Sequence, residues 1–205
     1  MRPEEFAQLL EPGHELHGVE FKGPFERTDK PLFAKVVKAV LAMANRLDGG
    51  KVIVGVDEVD DGSRVILKPT GLTLDQLKTW GHDDVVEGLA KFADPFVTIS
   101  TQHVQHDGRT FVVLKVSEFE EVPVLCSRPF EGVLRQSACY VRRRGRIETS
   151  EIPTHVEMRE LLELATVKGI RRFLTQVHRA GLATAGLVQV PDDAARFDAQ
   201  RGDFR

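Results

Sequence analysis

The sequence predicts a mixed α and β fold in one principal domain, followed by a helical extension and a tail. Three observations carry this reading. The 205 residues suffice for one domain with a substantial core and are short for two. Apolar residues at helical spacing, from Leu32 to Ala44, stand between two short strand-like runs, Leu16–Lys22 and Lys51–Asp57. Further on, two alternating stretches meet at Asp107-Gly108, a strong short-range hairpin signal.

Taken in order, residues 3–11 predict a short helix with Phe6, Leu9 and Leu10 on one side, stopped by Pro12-Gly13. In the strand that follows, period-two geometry puts Glu20 and Lys22 on one face and Val19 and Phe21 on the other. Asp29 is the expected N-cap of the next helix, with Pro31 in its first turn. Leu32, Phe33, Val36, Val37, Val40, Leu41 and Ala44 make that helix's buried stripe, while Lys35 and Lys38 fall off it. Asn45 to Gly50 should close it, and KVIVGVD then reads as a strand buried on both faces.

Residues 58–70 read as a polar connection. Thr73 and Gln76 form a capping box, predicting a helix with Leu74, Leu77 and Trp80, then a second helix with Val85, Val86, Leu89 and Phe92. Asp94-Pro95 stops the pair. Phe96–Gln105 and Arg109–Val116 are the hairpin strands, and a looser segment with Pro123 and Pro129 leads to a strand around Ala138–Arg142. Thr154 and Glu157 open a long helix whose stripe runs Met158, Leu161, Leu162, Ala165, Ile170, Phe173, Leu174 and Val177. Gly169 is placed to kink or split it, and Gly181 to stop it. Residues 191–205 are polar and aperiodic, which predicts a mobile tail.

With 41% hydrophobic and 29% charged residues, the composition is that of an ordinary soluble globular protein. No apolar run approaches the roughly 20 residues of a membrane span. The N-terminus MRPEEFAQLL is acidic and lacks the apolar core of a signal peptide. Cys126 and Cys139 are the only cysteines and form no CxxC pair, so reduced thiols and a cytoplasmic location are expected. A net charge of −3 argues against a uniformly basic wrapper of nucleic acid but leaves room for a local basic site. Such a site is visible: Arg142, Arg143, Arg144 and Arg146 fall within five positions, with Arg128 and Arg135 shortly before.

The chemistry-bearing residues concentrate between Glu15 and Asp57. Glu15 precedes the first strand, Glu20 lies in it, and Asp57 follows the next. Carboxylates at such places are either satisfied locally or collected around a cation. By residue type alone, Glu20 with Lys22 reads as a surface pair worth under about 1 kcal/mol. Asp57 reads as a turn-former, the arginine run as a solvated face, and Asn45 as a helix stop. His14 and His17 flank Glu15 but lack a partner pair at zinc spacing, and His103 and His106 lie on opposite faces of a strand. There is no GxxxxGK[ST] loop, which argues against nucleotide hydrolysis.

HGVEFKG, the helix ending AMANRLDGG, KVIVGVDE, Gly71-Leu72 before a helix, YVRRRGRIET from Tyr140 and the closing MRELLEL helix together resemble the Schlafen AlbA-like domain. The likeness covers roughly residues 7–165. It implies an α+β fold with a mixed sheet flanked by helices, and nucleic acid as the partner. The corresponding domain organisation is a core at 1–165, a C-terminal helical extension at 166–190 and a flexible tail at 191–205. Schlafen-type nucleases use three carboxylates for metal-dependent RNA cleavage, and Glu15, Glu20 and Asp57 occupy the matching places. The resemblance thus implies a Mg²⁺- or Mn²⁺-dependent endonuclease, with RNA favoured over DNA as its substrate. Hard oxygen ligands suit either ion. Lys22 would assist at the cleaved phosphate. Arg142, Arg143, Arg144 and Arg146, with Arg135, would grip the backbone.

The motif YVRRRGRIET carries more arginine than the usual Y-x-R-x-G-x-x-T pattern, which enriches positive charge and leaves the local turn open. Two alternatives stand beside the nuclease. One is a non-catalytic DNA- or RNA-binding regulatory module, which needs the arginines but not the acids. The other is a subunit working through protein partners or as a homodimer, suggested by a C-terminal stripe longer than one small domain can bury.

Overall fold

The computed structural model describes residues 1–11, 18–60, 62, 65–143, 148–152 and 154–181. Two compact units are present, Met1–Lys168 and Gly169–Arg205. The first is a mixed α+β fold with a mixed central sheet, as expected. Its sheet has strands β1 (Val19–Lys22), β2 (Gly50–Val54), β6 (Ile99–His106) and β7 (Arg109–Val116), in the order β1-β2-β7-β6. β1 and β2 are parallel, while β7 runs antiparallel to both β2 and β6.

Parallel neighbours need a crossover, and helix α2 (Lys30–Ala44) supplies it between β1 and β2. The Asp29 carboxylate caps α2 by accepting from the Leu32 N–H at 3.1 Å, and Pro31 sits in the first turn. The predicted stripe is buried apart from Leu32, which is partly covered, and Ala34, Ala39, Ala42 and Met43 are buried as well. α2 is therefore enclosed almost all round rather than amphipathic.

The alternation of the strands divides the core in two. Val52, Val54, Val112, Leu114 and Val116 face α2 and join Trp80, Val85 and Leu89. These last come from the two short helices, α3 (Leu74–Lys78) and α4 (His82–Ala90). The Thr73–Gln76 box caps α3 in both directions. Trp80, wholly buried, donates its indole N–H to the Phe25 carbonyl at 3.1 Å. On the opposite face Val19, Phe21, Ile53, Val104, Phe111 and Val113 pack with Phe6 of α1 (Pro3–Leu10) and with Val56.

Three expectations are corrected. First, KVIVGVD is not one strand. Gly55, at φ 111°, breaks it into β2 and β3 (Val56–Asp60), and β3 pairs antiparallel with β4 (Val65–Pro69). Residues 58–70, read as a polar connection, thus hold much of a hairpin. Gly55 is required because a Cβ there would meet Leu72 Cδ1 at 2.8 Å and Phe111 Cδ1 at 3.0 Å.

Secondly, helix α5 (His155–Arg179) runs through Gly169 without interruption. Thirdly, its apolar residues do not form one core-facing stripe. Leu161, Leu164 and Ala165 contact the core, whereas Met158, Leu162, Val167, Ile170, Phe173 and Leu174 are exposed. The remaining pieces are β5 (Ala93–Asp94) with β8 (Leu125–Cys126), and a small hairpin of β9 (Tyr140–Arg142) with β10 (Thr149–Glu151).

Candidate nucleic-acid interface

β1 is an edge strand of the sheet, and the face carrying Glu20 and Lys22 is the α2 side: the two residues lie opposite Val52 and Val54 in the register. The β9–β10 hairpin packs against α2 and brings Arg142 to the same place from 122 residues away. Two residues assigned separate roles from the sequence, Glu20 as a metal ligand and Arg142 as a phosphate grip, are thereby in direct contact.

Glu20 is engaged at both oxygens. Lys22 Nζ donates to its Oε1 at 2.5 Å. Thr149 Oγ1 donates to its Oε2 at 2.7 Å, and Arg142 Nη1 closes on the same oxygen in a short ion pair. The second guanidinium nitrogen of Arg142 donates to the Val19 carbonyl at 3.1 Å, so the one side chain grips both the acid and the backbone of β1. The Arg142 side chain is 3% exposed and that of Glu20 14%. Burial pushes the Glu20 carboxyl up. The Lys22 charge, hydrogen bonds from Lys22 and Thr149, and the Arg142 charge outweigh it, leaving Glu20 below its ordinary value and ionised.

Asp57 lies in β3 rather than beyond a strand end, and its Oδ2 accepts from Thr70 Oγ1 at 2.6 Å. Its other oxygen lies close against Gly23, leaving no room for a Cβ there. The next residue, Glu58, was not singled out by the sequence. It is exposed by surface area, yet enough protein surrounds it that burial raises its carboxyl. Lys22 and Arg142 oppose that rise, and the neighbouring Glu20 charge reinforces it. The doubled acid in VDEVD is the only sequence signal for it. Thr149, which holds Glu20, closes the YVRRRGRIET motif, whereas Thr70, which holds Asp57, carried no signal.

Among the remaining candidates, Arg135 is paired through its guanidinium with Glu151, its Nε reaching Glu151 Oε2 at 3.0 Å. Arg143 Nη1 lies 3.7 Å from Glu148 Oε2. Glu15, Arg144 and Arg146 lie outside the described residues. Asn45 does more than end a helix. It is buried, its amide donates to the carbonyls of Val124 at 2.8 Å and Tyr140 at 3.0 Å, and its Oδ1 accepts from Val124 N at 2.7 Å. It therefore ties the end of α2 to the start of β9.

These contacts decide how the described residues fit a divalent cation. Among them, no three His, Cys, Asp or Glu side chains gather at a common point. Glu20 already accepts from two cations and a hydroxyl, and Asp57 from a threonine. By themselves they do not make a three-carboxylate metal centre. What they make is a buried polar clasp that fixes the base of the β9–β10 hairpin, and the segment joining its strands, 143–148, contains Arg143, Arg144 and Arg146. Among the described residues no helix is long and apolar enough to cross a membrane.

No curated protein matches the sequence. Among solved structures, the fold is similar to the N-terminal domain of an ATP-dependent DNA helicase RecG-related protein from Nitrosomonas europaea. The TM-score is 0.51 at 22% identity, covering 76% of this chain and 96% of that one. A weaker likeness, TM-score 0.42 at 17% identity, is to the DIP2311 protein of Corynebacterium diphtheriae, covering 66% of this chain and 22% of that one. The first supports the α+β architecture. The family pattern described as Schlafen, AlbA_2 matches residues 15–151, which contain β1, the central sheet and the clasped hairpin. This chain belongs to the Schlafen AlbA_2 family, whose members point to nucleic acid as the partner.

Proposed function

We propose that this chain is a nucleic-acid-binding domain in which the Glu20–Arg142 clasp braces an arginine-rich hairpin for contact with a phosphate backbone, RNA before DNA. The observation that carries the reading is the engagement of both Glu20 oxygens by Lys22, Arg142 and Thr149. It gives the acid and Arg142 a positioning role, and it leaves phosphate contact to the segment between β9 and β10. Side chains that hold phosphates act largely through charge, so affinity should depend steeply on salt.

A second reading is a Mg²⁺- or Mn²⁺-dependent endonuclease using Glu15, Glu20 and Asp57, with Lys22 assisting. The match of these three acids in order and spacing to the nuclease pattern favours it. It requires Glu15 to complete the site and Glu20 to exchange its present partners for the ion.

One experiment separates the two: labelled structured RNA and single-stranded DNA, incubated with Mg²⁺, with Mn²⁺ and with EDTA, scored for both binding and cleavage. The binding reading expects metal-independent retention and intact RNA. In the R144A/R146A double variant it expects weaker binding, with the log–log salt slope falling by roughly two. Cutting that needs the metal and is lost in Glu15→Ala, with binding retained, would establish the nuclease instead. Undiminished binding by the double arginine variant would overturn the assignment of the hairpin, and no binding by the wild type would overturn the function.

A further inference from the structure

A cavity of about 450 Å³ lies within the first compact unit, directly beside the clasp, since Arg142 is part of its lining. That volume falls in the range of small-ligand sites. Three elements wall it: the end of α2 with Arg46, β9 with Val141 and the following Arg143, and the first turns of α5. On α5 the lining residues Glu157, Glu160, Leu161 and Leu164 follow helical spacing, so two carboxylates and two leucines share one face. Neither the clasp nor phosphate contact by the hairpin accounts for these acids.

The lining combines three chemistries. Val141 and Leu161 are buried and Leu164 partly so, which gives an apolar floor. Arg46 and Arg143 bring positive charge from the α2 and β9 sides. The Arg46 guanidinium is held in place, donating through Nη1 to the carbonyls of Leu47 at 3.1 Å and Gly49 at 2.8 Å. The carboxylates come from α5. Glu157 also serves the start of that helix, its Oε2 accepting from Thr154 Oγ1, whereas Glu160 lies beyond the capping box. A ligand that matches this lining is flat and apolar in its body, anionic at one end and a hydrogen-bond donor at the other. An unpaired nucleotide has that form. Among RNA bases the choice follows from the carboxylate, which only accepts. Adenine and cytosine present an acceptor nitrogen beside their amino group, and uracil flanks its one N–H with two carbonyls. Guanine alone presents two adjacent donors, N1–H and the N2 amino group, which one carboxylate accepts in parallel.

We propose that this cavity takes one unpaired guanosine from a bound strand. Its Watson–Crick edge meets the Glu160 carboxylate, its ring lies over Val141 and Leu161, and its phosphate turns toward Arg46 and Arg143. The proposal rests on the nucleic-acid reading above, and the test separates the two. Fluorescence anisotropy would compare a short all-uridine RNA with the same strand carrying one central guanosine or one central inosine, each free and annealed to its complement. The free guanosine strand is expected to bind about tenfold tighter than the uridine strand, the scale of one good bidentate contact to a base. Inosine lacks the N2 amino group and should give up most of that gain. Annealing occupies the same edge and should bring the guanosine-to-uridine ratio near one. In Glu160→Gln, whose amide offers a single accepting oxygen, the ratio for the free strands should also fall toward one. No binding of any strand would overturn the nucleic-acid reading and the site with it. Equal binding of the free uridine and guanosine strands would leave that reading standing and overturn the guanosine site. So would a guanosine preference that inosine shares in full or that Glu160→Gln retains, because hairpin arginines reading O6 and N7 would produce it without the cavity.

Discussion

At the scale of single residues, the Glu20–Arg142 pair shows how a buried ion pair specifies more than it stabilises. Bringing both charges out of water offsets much of their attraction, so the pair taken whole contributes little against an apolar substitute. Breaking it from one side leaves a buried charge behind. Arg142→Met alone should therefore cost about 3 kcal/mol in urea unfolding, and Glu20→Leu alone a similar amount. The double variant should cost clearly less than the sum, and an additive double would show that the two side chains do not act on one another. The pH dependence has a definite sign. The Glu20 carboxyl lies below its ordinary value of 4.5 in the folded chain, so its contribution is complete above that value and is lost as pH falls through the lower, folded one. The melting-temperature gap between wild type and Glu20→Gln should thus be widest near neutrality and shrink below about pH 4. Glu58 works in the opposite direction. Its raised carboxyl opposes folding at neutral pH and ceases to do so on protonation, so Glu58→Gln should be neutral or stabilising.

Among the elements, what was legible in the sequence was whatever is written locally. The faces of β1 follow from period two, the start of α2 from an aspartate and a proline, and the β6–β7 turn from Asp107-Gly108. The β3–β4 hairpin was not legible, because its strands carry acids and lysine on a mostly exposed ribbon and lack the apolar alternation of a core strand. Nor was the clasp legible at Glu20, since no local pattern announces a partner 122 residues away. The reading of α5 failed for a related reason. Periodicity counts apolar residues but cannot tell a face turned to the core from one turned away. Where the hairpin begins, one glycine decides. Gly55 adopts a backbone region rare for other residues, and its carbonyl accepts from both Thr70 at 3.0 Å and Gly71 at 2.8 Å. Gly55→Ala combines backbone strain with contacts against Leu72 and Phe111, and should cost about 2–4 kcal/mol in chemical denaturation. A loss below about 0.5 kcal/mol, the scale of a neutral surface change, would show that the break between β2 and β3 is relaxed rather than imposed.

At the scale of the whole molecule, both hydrophobic clusters, the clasp and the arginine hairpin fall within Met1–Lys168. Within that unit α5 meets the core through Leu161, Leu164, Ala165 and the Lys168–Glu118 pair. Nothing among the described residues after Lys168 contributes a buried side chain. Burial of apolar area sets most of the stability, so the first unit should supply both fold and binding. A chain ending after Lys168 is expected to unfold cooperatively, with a melting temperature within about 5 °C of the full chain when both are compared as monomers, a shift equivalent to roughly 1 kcal/mol. It should keep its affinity for RNA. Calorimetry and titration on the same preparation measure the two properties separately. Failure of the truncated chain to fold would mean that residues beyond Lys168 belong to the core.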